Sequence, residues 1–314
     1  MTAERNETWK HNYADLGDVR LHYVEQGSGP LVILLHGFPE FWYSWRRQIP
    51  VLAEAGFRVV TPDMRGYNLS DKPRGVAKYR VELLARDVER LSRALGAERA
   101  AVVGHDWGAA VAWAFAMRYP ERFERLAILN VPHPATFATG LFRPAQLLRS
   151  YYIFAFQIPA LPEATIRAGN FRAIRRIFRD DPVNKSAFTD EDIQRYVEAL
   201  AQPDALTSAI NYYRALFRTN PLAARRDLAV IEKPVQVIWG RRDRALGVEL
   251  SRPPQEWVPN LDYHLIPDAS HWVQNDQPER VNELLLGFLR PVLGTSQGQS
   301  TATGGNDATA ATAL

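Results

Sequence analysis

Four short apolar runs in the first 130 residues each stop at a polar or turn-forming residue. Residues 31–35 stop at His36-Gly37, 58–61 at Pro62-Asp63, 100–103 at Gly104 and 126–129 at Asn130. Largely apolar runs of this length suit strands buried on both faces, the signature of a parallel sheet sandwiched between helices. Helix-length segments lie between them, among them 79–95 and 109–119, and a hairpin around Leu21 to Glu25 leads in. The alternation resumes late, with strand-like 235–239 and 263–266 and a closing helix at 279–289. Between about Pro132 and Arg226 strand signals fade, and 171–179 and 192–201 carry helical spacing instead.

This pattern predicts an α/β chain with a discontinuous core. Residues 1–131 form its first part, 132–226 a helical cap inserted after the sixth strand, and 227–293 its second part. An insertion at the carboxyl end of a parallel strand lies over the region where α/β proteins bind ligands. Residues 294–314 read GTSQGQSTATGGNDATAATAL, small, polar and without aromatics. Such a segment has too little apolar area to offset its ordering entropy and is expected to be a disordered tail.

Composition narrows the chemistry. The 314 residues include no cysteine, which excludes disulfides, thiolate metal sites and a cysteine nucleophile. Thirty-eight basic residues face 35 acidic ones, an imbalance too small to mark a nucleic-acid or anionic-membrane partner. The N-terminus is polar, and no apolar stretch approaches the ~20 residues of a membrane span. The expectation is a cytoplasmic protein without a membrane anchor, monomeric or homodimeric.

The sharpest motif is Gly104-His105-Asp106-Trp107-Gly108, placed after an apolar strand and before a helix. It has the shape of the G-x-S-x-G nucleophile elbow with Asp106 in the serine position. A carboxylate is ionised at neutral pH, so Asp106 can displace a leaving group from an sp3 carbon without a base. The ester it forms must then be hydrolysed by activated water. Asp243 and His271 follow the last two strands, in the order nucleophile, acid, His. His271 is expected to deprotonate water, with Asp243 fixing its tautomer. His36-Gly37-Phe38-Pro39 ends the first buried strand, where elbow hydrolases keep half of the oxyanion hole. The backbone N–H groups of Phe38 and Trp107 are its expected donors. No metal site, P-loop or dinucleotide fingerprint is evident, and no cofactor is expected.

HGFPEFWYSWRRQIP (36–50), DMRGYNLSDKP (63–73), GHDWG and SHW (270–272) together resemble the epoxide hydrolases of the α/β-hydrolase fold. The likeness runs from about residue 15 to 292 and includes the insertion. It implies a small apolar epoxide as substrate and water as co-substrate. It also implies two cap tyrosines above the nucleophile. SYYIFAFQIP (150–159) matches the first tyrosine segment, at Tyr152, and NYYR (211–214) the second, at Tyr213. Tyr151 and Tyr212 stand beside them, and helical phase decides which member of each pair faces the site. Trp107 and Phe154 are expected to line an apolar pocket. Haloalkane dehalogenases resemble the same core and remain the alternative reading, although Phe38 departs from the Asn those enzymes carry after the His-Gly. A binding protein that keeps the fold without catalysis is a third reading, and an esterase a weaker one, because an Asp nucleophile would form an anhydride from an ester.

Overall fold

A computed structural model describes residues 9–218 and 227–300. Eight strands form one sheet: β1 (Lys10–Asp15), β2 (Arg20–Gln26), β3 (Leu31–Leu35), β4 (Arg58–Pro62), β5 (Ala100–His105), β6 (Phe123–Leu129), β7 (Val235–Gly240) and β8 (Leu261–Ile266). Their spatial order is β1-β2-β4-β3-β5-β6-β7-β8. The β1–β2 hairpin and the β2–β4 pair are antiparallel, and every later pair is parallel. The fully buried strands β3, β5 and β7 are the apolar runs of the sequence, covered by helices on both faces.

Helices α1 (Ile49–Glu54), α2 (Val81–Ala94) and α3 (Trp107–Arg118) follow β3, β4 and β5. Strand order reverses between β3 and β5, so their carboxyl ends open a crevice at the switch point, where parallel sheets hold ligands. Phe38 and Asp106 leave the sheet there. α3 is apolar almost all round and runs buried beneath the site, an alanine-rich helix that packs close to the sheet.

Between β6 and β7 the chain forms α4 (Pro134–Gly140), α5 (Pro144–Arg149), α6 (Tyr151–Ala155), α7 (Leu161–Asp180), α8 (Asp190–Ala201) and α9 (Ala205–Leu216). This is the helical insertion. α7 is broken at Ala168–Phe171, where Gly169, Asn170 and Phe171 all take positive φ, so the basic stretch that follows is a helix of its own. Its arginines face solvent and pair locally, Arg176 with Asp180 and Arg179 with Asp190. α8 begins with a reciprocal capping box between Thr189 and Asp192. Residues 219–226, at the return to the core, lie outside the described residues.

α10 (Val273–Asp276) and α11 (Pro278–Ser300) close the chain. α11 continues past Leu293, so the start of the segment expected to be disordered extends a helix. A helix already nucleated adds one hydrogen bond for each residue it fixes, which offsets much of the ordering cost of a polar stretch. The rest of that expected tail, 301–314, lies outside the described residues. No helix among the described residues is long and apolar enough to cross a membrane.

Candidate active site

Asp106 stands between β5 and α3 with φ 49° and ψ −125°, a strained backbone that lifts its side chain above the sheet. The flanking glycines make this turn possible by close approach. A Cβ on Gly108 would fall 2.2 Å from the Leu35 carbonyl oxygen, and one on Gly104 2.5 Å from the Gly108 carbonyl oxygen. Gly37 is required for a related reason: a Cβ there would lie 2.3 Å from the Asp106 side chain. The HG and GxDxG motifs are thus two halves of one packing contact.

The Phe38 N–H donates to Asp106 Oδ1 at 2.7 Å. Asp106 Oδ2 lies 3.5 Å from His271 Nε2, and His271 Nδ1 bonds Asp243 Oδ2 at 2.8 Å. Trp107 opens α3, and its N–H belongs to the first helical turn, whose donors have no partner inside the helix. The carboxylate is therefore divided: one oxygen rests on a backbone donor, and the other faces the cavity and the imidazole.

Asp243 is held on every side. The N–H groups of Ala245 and Leu246 donate to Oδ1 at 2.8 Å each, and Asn130 Nδ2 donates to Oδ2 at 2.7 Å. Asn130 also accepts from the Gly240 N–H. It sits at φ 52°, a left-handed position that asparagine tolerates better than most residues. Asn130 is a positioning residue that the sequence reading treated only as the end of a strand. Behind the elbow, His105 bonds buried Glu40 at 2.8 Å and the His271 carbonyl at 2.8 Å, tying the HGFPE loop to the histidine loop.

Burial opposes the imidazolium of His271, but the Asp243 and Asp106 carboxylates outweigh it and hold the group well above the ordinary histidine value. Burial likewise raises Asp106, and the His271 hydrogen bond and charge overcome it, so its carboxyl stays below the usual value. Both shifts favour an Asp106 carboxylate against a His271 imidazolium.

The helical phase of each tyrosine pair is clear. Tyr152 and Tyr213 line a cavity of about 350 Å3 together with Asp106 and Trp107. Tyr151 is 69% exposed, and Tyr212 is turned into the core, its hydroxyl donating to the Arg65 carbonyl at 2.6 Å. The Tyr213 ring packs edge-on against Phe38, Trp107, Tyr152 and Phe156 at centroid distances of 5.0–5.8 Å. Burial drives both phenols far above the ordinary tyrosine value, and the Asp106 charge adds to it, so both stay protonated. Phe154 is brought elsewhere. Two helical residues on from Tyr152 it has rotated to the other side of α6, where it meets Phe217. Ile153 and Phe137 line the cavity instead, and Phe156 backs Tyr213. Among the described residues no group of three or more His, Asp or Glu side chains could hold a metal ion.

The fold and this elbow-centred site define an α/β hydrolase, and the α/β hydrolase fold family matches residues 30–278. An AB hydrolase superfamily protein, YfhM of Bacillus subtilis, is 42% identical over 90% of this chain and 98% of its own. Mouse epoxide hydrolase 4 is 37% identical over 89% of this chain and 79% of its own. A crystal structure of Bacillus megaterium epoxide hydrolase with an inhibitor superposes with TM-score 0.82 at 36% identity, covering 89% of this chain and all of that one. The chain belongs to the epoxide hydrolase family of the α/β-hydrolase fold.

Proposed function

We propose that this protein hydrolyses an epoxide to a vicinal diol in two covalent steps. The family relationship supports the substrate class. The observation that carries the mechanism is the pair of protonated phenols facing an ionised Asp106 across an apolar cavity.

Asp106 Oδ2 attacks one oxirane carbon and breaks its C–O bond. The electron pair goes to the oxirane oxygen, which Tyr152 and Tyr213 stabilise and protonate. Asp106 Oδ1, on the Phe38 N–H, becomes the ester carbonyl. Esterification removes one of the two carboxylates that hold the proton on His271, so the imidazolium becomes more acidic at this point. Its proton returns the phenolate to phenol, and neutral His271 then deprotonates water. The water oxygen adds to the Asp106 carbonyl carbon, and the oxyanion rests on the Phe38 and Trp107 N–H groups. Collapse breaks the acyl C–O bond, the departing alkoxide takes the remaining proton of the added water and leaves as the diol with an original Asp106 oxygen, and the carboxylate keeps the oxygen from water. Asp243, fixed by Asn130 and two backbone donors, orients the imidazole throughout.

The test is a turnover assay of the protein and Asp106→Asn on styrene oxide, a longer aliphatic epoxide, 1,2-dibromoethane and fluoroacetate. Diol formation that vanishes in the variant is expected. Halide release without diol would assign the site to dehalogenation and overturn the role of the tyrosines. One turnover in 18O water is expected to label Asp106 and not the diol; label in the first diol released would overturn the ester.

A further inference from the structure

Of Ser270-His271-Trp272, the mechanism above uses only the histidine. Trp272 is nonetheless buried, and its indole reaches into the cap. There it packs against Phe178 and Phe188 at centroid distances of 5.1 and 6.1 Å, and its Nε1–H donates to Asp181 Oδ2 at 3.1 Å. Asp181 is the residue that ends α7. A second link runs beside the first. The Asn184 N–H donates to Asp276 Oδ1 at 2.9 Å, and Asp276 Oδ2 accepts from the Ser270 N–H at 2.7 Å. One short cap segment, 181–184, thus reaches both chain neighbours of His271.

The two links act on different parts of the histidine. Asp276 fixes the backbone on one side of His271, and His105 fixes its carbonyl at 2.8 Å. What remains is rotation of the imidazole about its side-chain bonds. Two rings wall it in, His105 at 4.8 Å and Trp272, edge-on, at 5.2 Å. Both nitrogens of His105 are bonded, so that wall is pinned. The indole has a single polar atom, Nε1, and Asp181 is its partner. Arg244 Nε also approaches Asp181, at 3.7 Å, but Arg244 is largely exposed and such a pair contributes little. Burial raises the Asp181 carboxyl, and the His271 charge comes first among the groups that oppose the rise. The carboxylate therefore lies within electrostatic reach of the imidazole. It does not line the cavity.

The demand on these walls changes during the reaction. In the free site Asp106 Oδ2 stands 3.5 Å from Nε2 and Asp243 bonds Nδ1, so the imidazole is held at both ends. Once Asp106 is an ester, Oδ2 is bonded to carbon, and Nε2 has to aim at water instead. We infer that Asp181 is a positioning residue for ester hydrolysis: it fixes the Trp272 indole, which keeps the His271 imidazole aimed at the water while Asp106 is esterified. The inference rests on the two-step epoxide reading above and assigns a cap residue to its second step.

The experiment mixes enzyme in excess with styrene oxide, quenches at intervals, and follows the Asp106 adduct by intact-protein mass spectrometry. The rise of the adduct reports ring opening and its decay reports hydrolysis. In Asp181→Leu, hydrolysis is expected to slow by roughly tenfold and the adduct to accumulate, while ring opening stays within about twofold, because a slightly misaimed base delays only the step that uses it. Asp181→Asn keeps an oxygen that accepts from the indole, and its hydrolysis is expected within about threefold of the wild type. Trp272→Phe is expected to match Asp181→Leu, and the double variant to be no slower than either, because both act through one bond. Single-turnover rate constants do not depend on the fraction of folded protein, so partial misfolding does not imitate the result. Ring opening slowed as much as hydrolysis would make Asp181 a mere prop of the cap and overturn the inference. Asp181→Asn as slow as Asp181→Leu, or additive losses in the double variant, would overturn it too. In each of these results the epoxide is still opened, and the epoxide reading stands. A wild type that forms neither adduct nor diol would overturn that reading and the inference with it.

Discussion

The core and the cap hold the proposed catalytic side chains by different means. In the core, Asp106, Asp243 and His271 leave the carboxyl ends of neighbouring strands, and their positions follow from sheet register. Polar bonds then lock them, with three donors besides His271 on Asp243 alone. In the cap, Tyr152 and Tyr213 sit on separate helices and meet through ring packing. α9 is fastened to the core by the Tyr212–Arg65 and Tyr79–Ser208 hydrogen bonds, which fixes Tyr213. α6 is fastened to α9 and, through Ser150 just before it, to Gln146, which bonds Ala245 and Gly247 of the core. Gln157 donates to the Tyr213 carbonyl, and Arg214 donates to the carbonyls of Phe156 and Ile158 while pairing with buried Glu163. Tyr152 is thus held at second hand. The proposed nucleophile and base are fixed by backbone geometry, whereas the proposed acid is fixed by helix-to-helix contacts.

The largest expected effect falls on the core. His271→Gln should keep ring opening and lose ester hydrolysis, with turnover down at least about 10³-fold. Mass spectrometry with a reactive epoxide should find one adduct, on Asp106. Absence of an adduct in protein that still binds the epoxide would break the division between nucleophile and base. Next comes the cap. Tyr152→Phe with Tyr213→Phe should slow the first step by roughly 10²- to 10⁴-fold, the range for a general acid, and the adduct should form slowly where it formed fast. Full activity in the double variant would remove the phenols from the mechanism.

How much of this could be read from the chain follows the same division. Strands buried on both faces leave continuous apolar runs, so β3 and the cores of β4 to β7 stand out, and residues just past their ends could be named; β8 is only half-buried and showed just its last four residues. β1 could not: it is an edge strand with mostly exposed side chains and no apolar run. Asn130 escaped because its work is done by a side-chain amide toward partners more than a hundred residues away. In the cap, Tyr152 and Tyr213 came from resemblance, since helical periodicity alone does not choose between adjacent tyrosines. Phe154 was misplaced for a different reason: two residues on from Tyr152 in a helix, it lies on the opposite side once Tyr152 faces the site.

A smaller effect sharpens the contrast. Arg214→Ala leaves Glu163 buried without its partner and removes the bonds from α9 to the Phe156 and Ile158 carbonyls. Breaking such a pair costs about 3–5 kcal/mol of stability, a denaturation midpoint well below that of the wild type. In the folded variant, the titration of His271 followed by imidazole NMR should not move, because Asp243 and Asp106, which raise it, belong to the core. A changed His271 titration would show that cap and core are coupled more tightly than their contacts suggest.

The smallest effect is a pH slope, and its pH window separates the two regions again. His271 is raised in the folded protein, mainly because Asp243 and Asp106 overcome the cost of burial. Its contribution to stability is therefore fully present below the unfolded value, ~6.5, and is lost as pH rises through the folded value. Asp106→Asn removes one of the two carboxylates and so lowers the folded value. The wild type should lose stability between neutral and alkaline pH by an amount that the variant loses only in part, read as the difference in melting temperature across that window. Tyr152 and Tyr213 act in the same direction at higher pH: their phenols are raised by burial, so ionisation resists folding only when the solution becomes strongly alkaline. A slope in the neutral range that survives Asp106→Asn undiminished would mean that the Asp106 carboxylate is not what holds the proton on His271. The acidification of His271 on esterification would then lose its cause.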